Sequence, residues 1–293
     1  MSCSRRLSSP ATQFHLPKPN GDRRLIESAE KPLRLIQKHL QQRLQAVYYT
    51  IRPDCAYGGM LTPFDEPHVR NIYTNAQQHI GKKWVLHFDL KDFFPNINSR
   101  RVFEVFSQAP FQFPEPVAQI LTQLSTHHDR LPQGASSSPI LANLVCLAAD
   151  RQLNALAQSK GWTYTRYIDD MTFSGKKRFR DKHVEAVCKL LEAERFIVNL
   201  DKVAICRMKD EPEVTGLVLK GEKPDVSPQF LRDLQGEVTF YRALTDMGNA
   251  ALQTFSAQTL QRFRLQVLGK INFLRFVRGD RHKSVVKFQL ELG

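Results

Sequence analysis

The chain has 293 residues, enough for one large domain or two ordinary ones, and its 42% hydrophobic and 24% charged residues exclude a disordered polymer. Lys and Arg outnumber Asp and Glu by 42 to 29, a net charge of +13 that points to a polyanionic partner, nucleic acid first, although ribosomal or membrane-surface binding would give the same number. No apolar run approaches the ~18 residues of a membrane span, and Met1–Arg6 has no apolar segment behind it, so neither a spanning helix nor a secretory signal is expected.

In chain order, residues 1–15 read as a loose polar arm. Phe14–Ile26 reads as strand, Asn-Gly turn, strand, with Lys18, Arg23 and Arg24 flanking the turn. Pro32 opens a helix whose Leu33, Ile36, Leu40, Leu44 and Val47 recur at helical spacing. A loop over 52–66 precedes a helix over 67–80. Val85–Leu90 is a strand pattern that ends on an acid, Asp89. Helices are expected over 99–108 and 114–127. Pro139 starts a long apolar helix that runs to Ser159 and is stopped by Gly161. A hairpin over Tyr164–Phe173 follows, then a helix over 181–194, strands at 195–199 and 202–207, and a hairpin ending in Val214–Leu219. From Ser227 the pattern changes to basic helices over 228–248 and 256–278, a small separate unit. Five cysteines, Cys3, Cys55, Cys146, Cys188 and Cys206, have no CxxC spacing and read as free thiols in a reducing cytoplasm.

Arg166-Tyr167-Ile168-Asp169-Asp170-Met171 places two adjacent carboxylates where a tight strand–turn–strand exposes them. An Asp-Asp pair alone is most often a solvated turn. With Asp89 brought in from a second strand, the set can hold a pair of Mg²⁺ ions about 3.5–4 Å apart, the apparatus of in-line phosphoryl transfer. A backbone carbonyl at Phe88 or Leu90 can add an oxygen ligand. Asp92, three residues on, reads as a surface acid or helix cap.

Three motifs in order carry a resemblance. Phe88-Asp89-Leu90-Lys91-Asp92-Phe93-Phe94-Pro95, Leu131-Pro132-Gln133-Gly134 and Tyr167-Ile168-Asp169-Asp170 resemble the signature motifs of reverse transcriptases. Asn75-Ala76-Gln77-Gln78-His79 and Val214-Thr215-Gly216 are similar to elements of bacterial retron reverse transcriptases, as is the compact size without a maturase or endonuclease extension. Ile168 stands where retrons usually carry Ala, and Ser136-Ser137 replace a more usual Pro-Thr or Pro-Gln.

The resemblance implies an α+β right-hand fold. Arm and fingers would span 1–88, a palm of antiparallel sheet backed by helices 89–226, and a helical thumb 227–293. It implies that Asp89, Asp169, Asp170 and the carbonyl of Leu90 hold two Mg²⁺, with Asp169 the stronger ligand of the pair. Incoming dNTPs would meet Arg24 on the triphosphate, with Lys18 a weaker candidate. Phe94 would be a steric gate against the 2′-hydroxyl, Gln133 would lie beside the nucleotide, and Lys202 near the leaving pyrophosphate. Core packing is the competing reading for Phe94, since Phe93 and Phe94 cannot both point the same way on an extended chain. RNA contacts would fall to Arg262, Arg264, Lys270 and Arg275 on the thumb, with Asn75 and His79 divided evenly between RNA contact and core hydrogen bonding. The implied partners are a structured noncoding RNA as template and primer, the RNA–DNA hybrid product, dNTPs and a separate effector protein in antiphage defence, with priming from a guanosine 2′-hydroxyl. Two alternatives stay open: a reverse transcriptase of a group II intron or diversity-generating element, and a catalytically silent polymerase fold that only binds RNA.

Overall fold

A computed structural model describes residues 11–17, 21, 23–63, 66–247 and 255–293. The first expected hairpin is present: β1 (Ala11–Pro17) pairs antiparallel with β2 (Arg23–Ala29), Leu16 opposite Arg24. Lys18 lies outside the described residues. Helix α1 (Lys31–Ile51) has Pro32 in its first turn and buries Gln37, Leu44 and Tyr48 along one face. The helix expected over 67–80 shrinks to α2 (Ile72–Gln77). Its start is set by a capping box: Asn71 Oδ1 accepts from the Thr74 amide and Thr74 Oγ1 accepts from the Asn71 amide, both at 2.9 Å.

The main sheet is built from β3 (Trp84–Asp89), β4 (Thr163–Tyr167), β5 (Asp170–Gly175) and β6 (Ala204–Arg207), in the antiparallel order β4-β5-β3-β6. Helices α3 (Ser99–Ser107), α4 (Glu115–Ser125), α5 (Ser138–Val145), α6 (Leu147–Ser159) and α7 (Asp181–Ala193) back it. The long helix expected from Pro139 is thus two. At Cys146 the backbone tightens, its amide shared between the carbonyls of Ala142 and Leu144. The strand expected at 195–199 does not form. Val198 makes a single bridge to Leu90, and a 3₁₀ turn over Leu200–Lys202 follows.

A second sheet, β7 (Glu213–Val214), β8 (Leu217–Lys220) and β9 (Lys223–Asp225), precedes α8 (Pro228–Asp246), α9 (Ala257–Arg278) and α10 (Lys283–Leu292). The last of these was not expected from the sequence. Strand β3 separates two apolar cores, because neighbouring side chains on a strand face opposite ways. Leu86 and Phe88 pack with Ile140, Leu141, Leu153 and Phe173 on one side. Val85 packs with Ala76, Val214, Leu217, Val238, Ile271 and Leu274 on the other. The second sheet therefore shares its interior with the C-terminal helices.

Candidate active site

Pairing of β3 with β5 is what joins the distant aspartates. Asp89 ends β3, and its partner across the ladder is Asp170, the first residue of β5. Tyr167 at the end of β4 also faces Asp170, so Ile168 and Asp169 form the connecting turn. Ile168 is left-handed there, with φ +61°, a conformation that β-branched residues rarely adopt.

Burial, and after it the charges of Asp169 and Asp89, push the Asp170 carboxyl up to about 6; the backbone amide of Thr215 hydrogen-bonds to it and opposes that rise. Asp89 is turned elsewhere. Its Oδ2 accepts from Lys202 Nζ at 2.9 Å and from Asn199 Nδ2 at 3.4 Å, and its carbonyl accepts from the Asn199 amide at 2.9 Å. The Lys202 side chain is 59% exposed, so this ion pair contributes at most about 1 kcal/mol. The bridge to Val198 uses the carbonyl of Asp89 and the amide of Lys91, not the carbonyl of Leu90.

The charges of Asp169 and Asp89 both reach Asp170, yet among the described residues no three His, Cys, Asp or Glu side chains converge as a metal cage. Coulomb repulsion acts beyond ligand distance, and Asp89 is held by Lys202 and Asn199. The site fits a hard divalent cation on two counts: its donors are carboxylate oxygens, and Asp170, raised first by burial, also feels the negative charges of Asp169 and Asp89, which a cation would offset.

Around the aspartates, Phe93 is buried and stacks on Phe196, while Phe94 is only half-buried and meets Phe93 edge-on at 5.2 Å. Phe94 packs partly against the same core that encloses Phe93. Asp92 is an exposed acid at φ +47°. The loop carrying Gln133 is tied to β2, where the Glu27 amide donates to the Gln133 carbonyl at 2.7 Å. At Gly134, φ +125°, a Cβ would stand 2.8 Å from the Glu27 carbonyl, so only glycine allows this approach. Arg24 lies in β2, on the hairpin that this loop abuts.

Asn75 and His79 require a correction. Both are buried, with no surface to offer an RNA. His79 bridges the hairpin strands, Nδ1 to Ser174 Oγ at 2.7 Å and Nε2 to Thr165 Oγ1 at 2.8 Å. Asn75 Nδ2 reaches Thr215 Oγ1 at 3.5 Å, and that hydroxyl donates to the Ile72 carbonyl at 3.0 Å. The two elements that looked retron-like thus pack against each other behind the aspartates. On α9, Arg262 is exposed, Arg264 donates to the Gly293 carbonyl at 2.7 Å, Lys270 pairs with Glu237 at 2.5 Å and Arg275 with Asp280 at 3.3 Å.

Sequence reasoning passed over Asn199, Arg166 and Asp150. Asn199 was visible only as a neighbour of Lys202, and the other two meet through the fold alone.

Residues 16–219 match the family model described as "Reverse transcriptase (RNA-dependent DNA polymerase)". The chain belongs to the reverse transcriptase family. It is 31% identical over 216 residues to the Retron Ec86 reverse transcriptase of Escherichia coli, and 34% identical over 260 residues to the Retron Mx65 reverse transcriptase of Myxococcus xanthus. These alignments cover 69% and 80% of this chain, and the chain spans 67% and 58% of the two relatives' own lengths. The fold is similar to that of a Candida albicans telomerase solved with a TWJ fragment of telomeric RNA, with a TM-score of 0.54 at 10% identity, covering 100% of this chain and 64% of that one. Among the described residues no helix is long and apolar enough to cross a membrane.

Proposed function

We propose that this chain is an RNA-directed DNA polymerase of retron type. The observation that carries the reading is the meeting of Asp89 with the Asp169–Asp170 turn across β3 and β5, in a chain of the reverse transcriptase family. Asp89, Asp169 and Asp170 would hold two Mg²⁺, with the Leu90 carbonyl as a further oxygen. Divalent ions held there would supply the acidity that frees the primer hydroxyl's proton and the charge that offsets the leaving pyrophosphate. The protein's own groups place the nucleotide. Arg24 holds the triphosphate, Gln133 lies beside the base pair, and Lys202, already beside Asp89, stands near the leaving group. Template and primer come from one structured noncoding RNA, primed from a guanosine 2′-hydroxyl, and the product is single-stranded DNA joined to RNA. The role in this reading is antiphage defence with a separate effector.

Sequencing the nucleic acid that copurifies with the protein, together with Mg²⁺-dependent primer extension, tests the reading. DNA linked to one RNA species supports it. Bound RNA with no extension at any divalent ion would leave only an RNA-binding fold.

Phe94→Ala is expected to raise ribonucleotide incorporation relative to dNTP by roughly tenfold to a hundredfold, since removing the ring admits a 2′-hydroxyl, a difference of about 1.4–2.7 kcal/mol. Single-nucleotide kinetics measure it, and unchanged selectivity would move the gate to another residue. The basic helix makes a second expectation. Affinity for the copurified RNA should fall steeply with salt, with a log–log slope of about −0.7 to −0.9 per phosphate contact. Neutralising Arg262, Arg264 and Lys270 together should flatten that slope by roughly one to three units, fewer than three if Lys270 stays with Glu237. Titrations at several salt concentrations decide, and an unchanged slope would remove α9 from the RNA interface.

A further inference from the structure

The turn that carries Asp169 is strained at Ile168, φ +61°, and something must hold it. Directly beneath lies Arg166, fully buried. Its Nη1 donates to the Ile168 carbonyl at 2.9 Å and to Asn143 Oδ1 at 3.0 Å. Its other nitrogens form a two-pronged ion pair with the equally buried Asp150 of α6, Nε to Oδ1 at 2.8 Å and Nη2 to Oδ2 at 2.7 Å. The Tyr164 hydroxyl donates to the same Oδ1 at 3.0 Å. Asn143 in turn donates to the Gly58 carbonyl at 2.9 Å. Gly58 lies against the turn so closely that a Cβ would stand 2.9 Å from the Ile168 nitrogen.

Two charges are thus removed from water against each other, and one of the guanidinium's four donations ends on the strained residue. A buried ion pair is weak evidence of net stability, because desolvation offsets most of its attraction. An arrangement of this kind is better suited to fixing a conformation. A planar guanidinium aims several donors at once from a rigid frame, which an ammonium cannot do.

We propose that the Arg166–Asp150 pair is a positioning device that holds the Ile168 turn left-handed and so aims the Asp169 and Asp170 carboxylates. This rests on the reading that those aspartates are the metal ligands. Neither Arg166 nor Asp150 touches substrate; both act through the turn. Without the pair, the turn should relax toward a backbone that suits isoleucine, and the carboxylates should lose their common aim while fold and RNA binding persist.

The test uses the full chain, a synthetic RNA template with a DNA primer, and Mg²⁺ titrations. Arg166→Lys is expected to lower kcat at least tenfold and raise the Mg²⁺ midpoint severalfold, with dNTP KM and template affinity within about twofold of wild type. Changing Ile168 to Gly or Asn makes the left-handed turn easy without the arginine. Combined with Arg166→Lys, either change should recover at least threefold of the lost rate, which a general loss of packing would not allow. Should Arg166→Lys fail to fold, the neutral double variant Arg166→Gln/Asp150→Asn takes its place, with the same loss and the same recovery expected. Wild-type kcat and Mg²⁺ midpoint in a folded variant would overturn the proposal, and so would a loss that substitution at 168 never relieves. Asp169→Asn, run in parallel, separates the two ideas. If it remains active, the metal-ligand reading fails; if it is dead while Arg166→Lys is normal, only the positioning idea fails.

Discussion

Asp89→Asn and Asp169→Asn should each abolish dNTP incorporation, by at least about a thousandfold, or ~4 kcal/mol in the barrier, while RNA affinity stays within about twofold. An amide of the same shape keeps the β3–β5 ladder intact but removes the negative oxygens. Asp170 is raised first by burial and then by the charges of Asp169 and Asp89, and either amide would ease the second of these. Melting temperature measured without divalent ions should therefore hold for Asp169→Asn, whereas Asp89→Asn also gives up its ion pair with Lys202 and should lose slightly. Primer extension and filter binding on the same preparations check this. Polymerisation retained in both variants would sink the metal assignment for the aspartates.

His79 should make the protein sensitive to acid. Burial pushes its pKa from 6.5 down to about 3, so the imidazole is neutral in the fold. As pH falls below about 6.5 the unfolded chain takes up a proton that the folded chain refuses until about 3. Stability is therefore present above the unfolded value and is lost across that window. At pH 5 the loss from this one group is about 2 kcal/mol. His79→Gln should be less stable at pH 7.5, by roughly 1–3 kcal/mol for its two buried hydrogen bonds, yet the gap to wild type should close by about 2 kcal/mol at pH 5. A residual acid limb should remain, because burial also pushes His87 down to about 4. Urea melts at the two pH values measure the gap, and a gap that does not change with pH would show that His79 does not set the acid limb.

What was legible in the sequence was whatever is written locally. The hairpins announce themselves by alternation and turn residues, and Asp89 and the Asp169–Asp170 pair stand at strand ends. For Phe93 and Phe94 the pleat was no guide, because residues 91–96 form turns and not a strand. The sequence was silent where partners come from far along the chain. Arg166 and Asp150 are sixteen residues apart on different elements, and their pairing depends on how α6 packs against the sheet. Asn75 and His79 were divided between surface and interior until their partners, Thr215, Ser174 and Thr165, were known. Helix α10 is a ten-residue helix, and its buried Val285, Phe288 and Leu292 make too brief a stripe to stand out by period.

The interior shared by β7–β9 and the C-terminal helices bears on how this protein could be recombined with its relatives. A swap of 227–293 alone, the cut suggested by the change of sequence pattern, would set foreign helices on Val214, Leu217 and Leu219, side chains shaped for Val238, Ile271 and Leu274. The unit of exchange is instead discontinuous: the α2 segment with Ala76, the β7–β9 sheet and all three helices. Val85, on the strand that also presents Asp89, would remain as the seam. Libraries built on that partition should yield folded chimeras at a higher frequency than those cut at a single crossover, and RNA preference, if it resides in this unit, should travel with it.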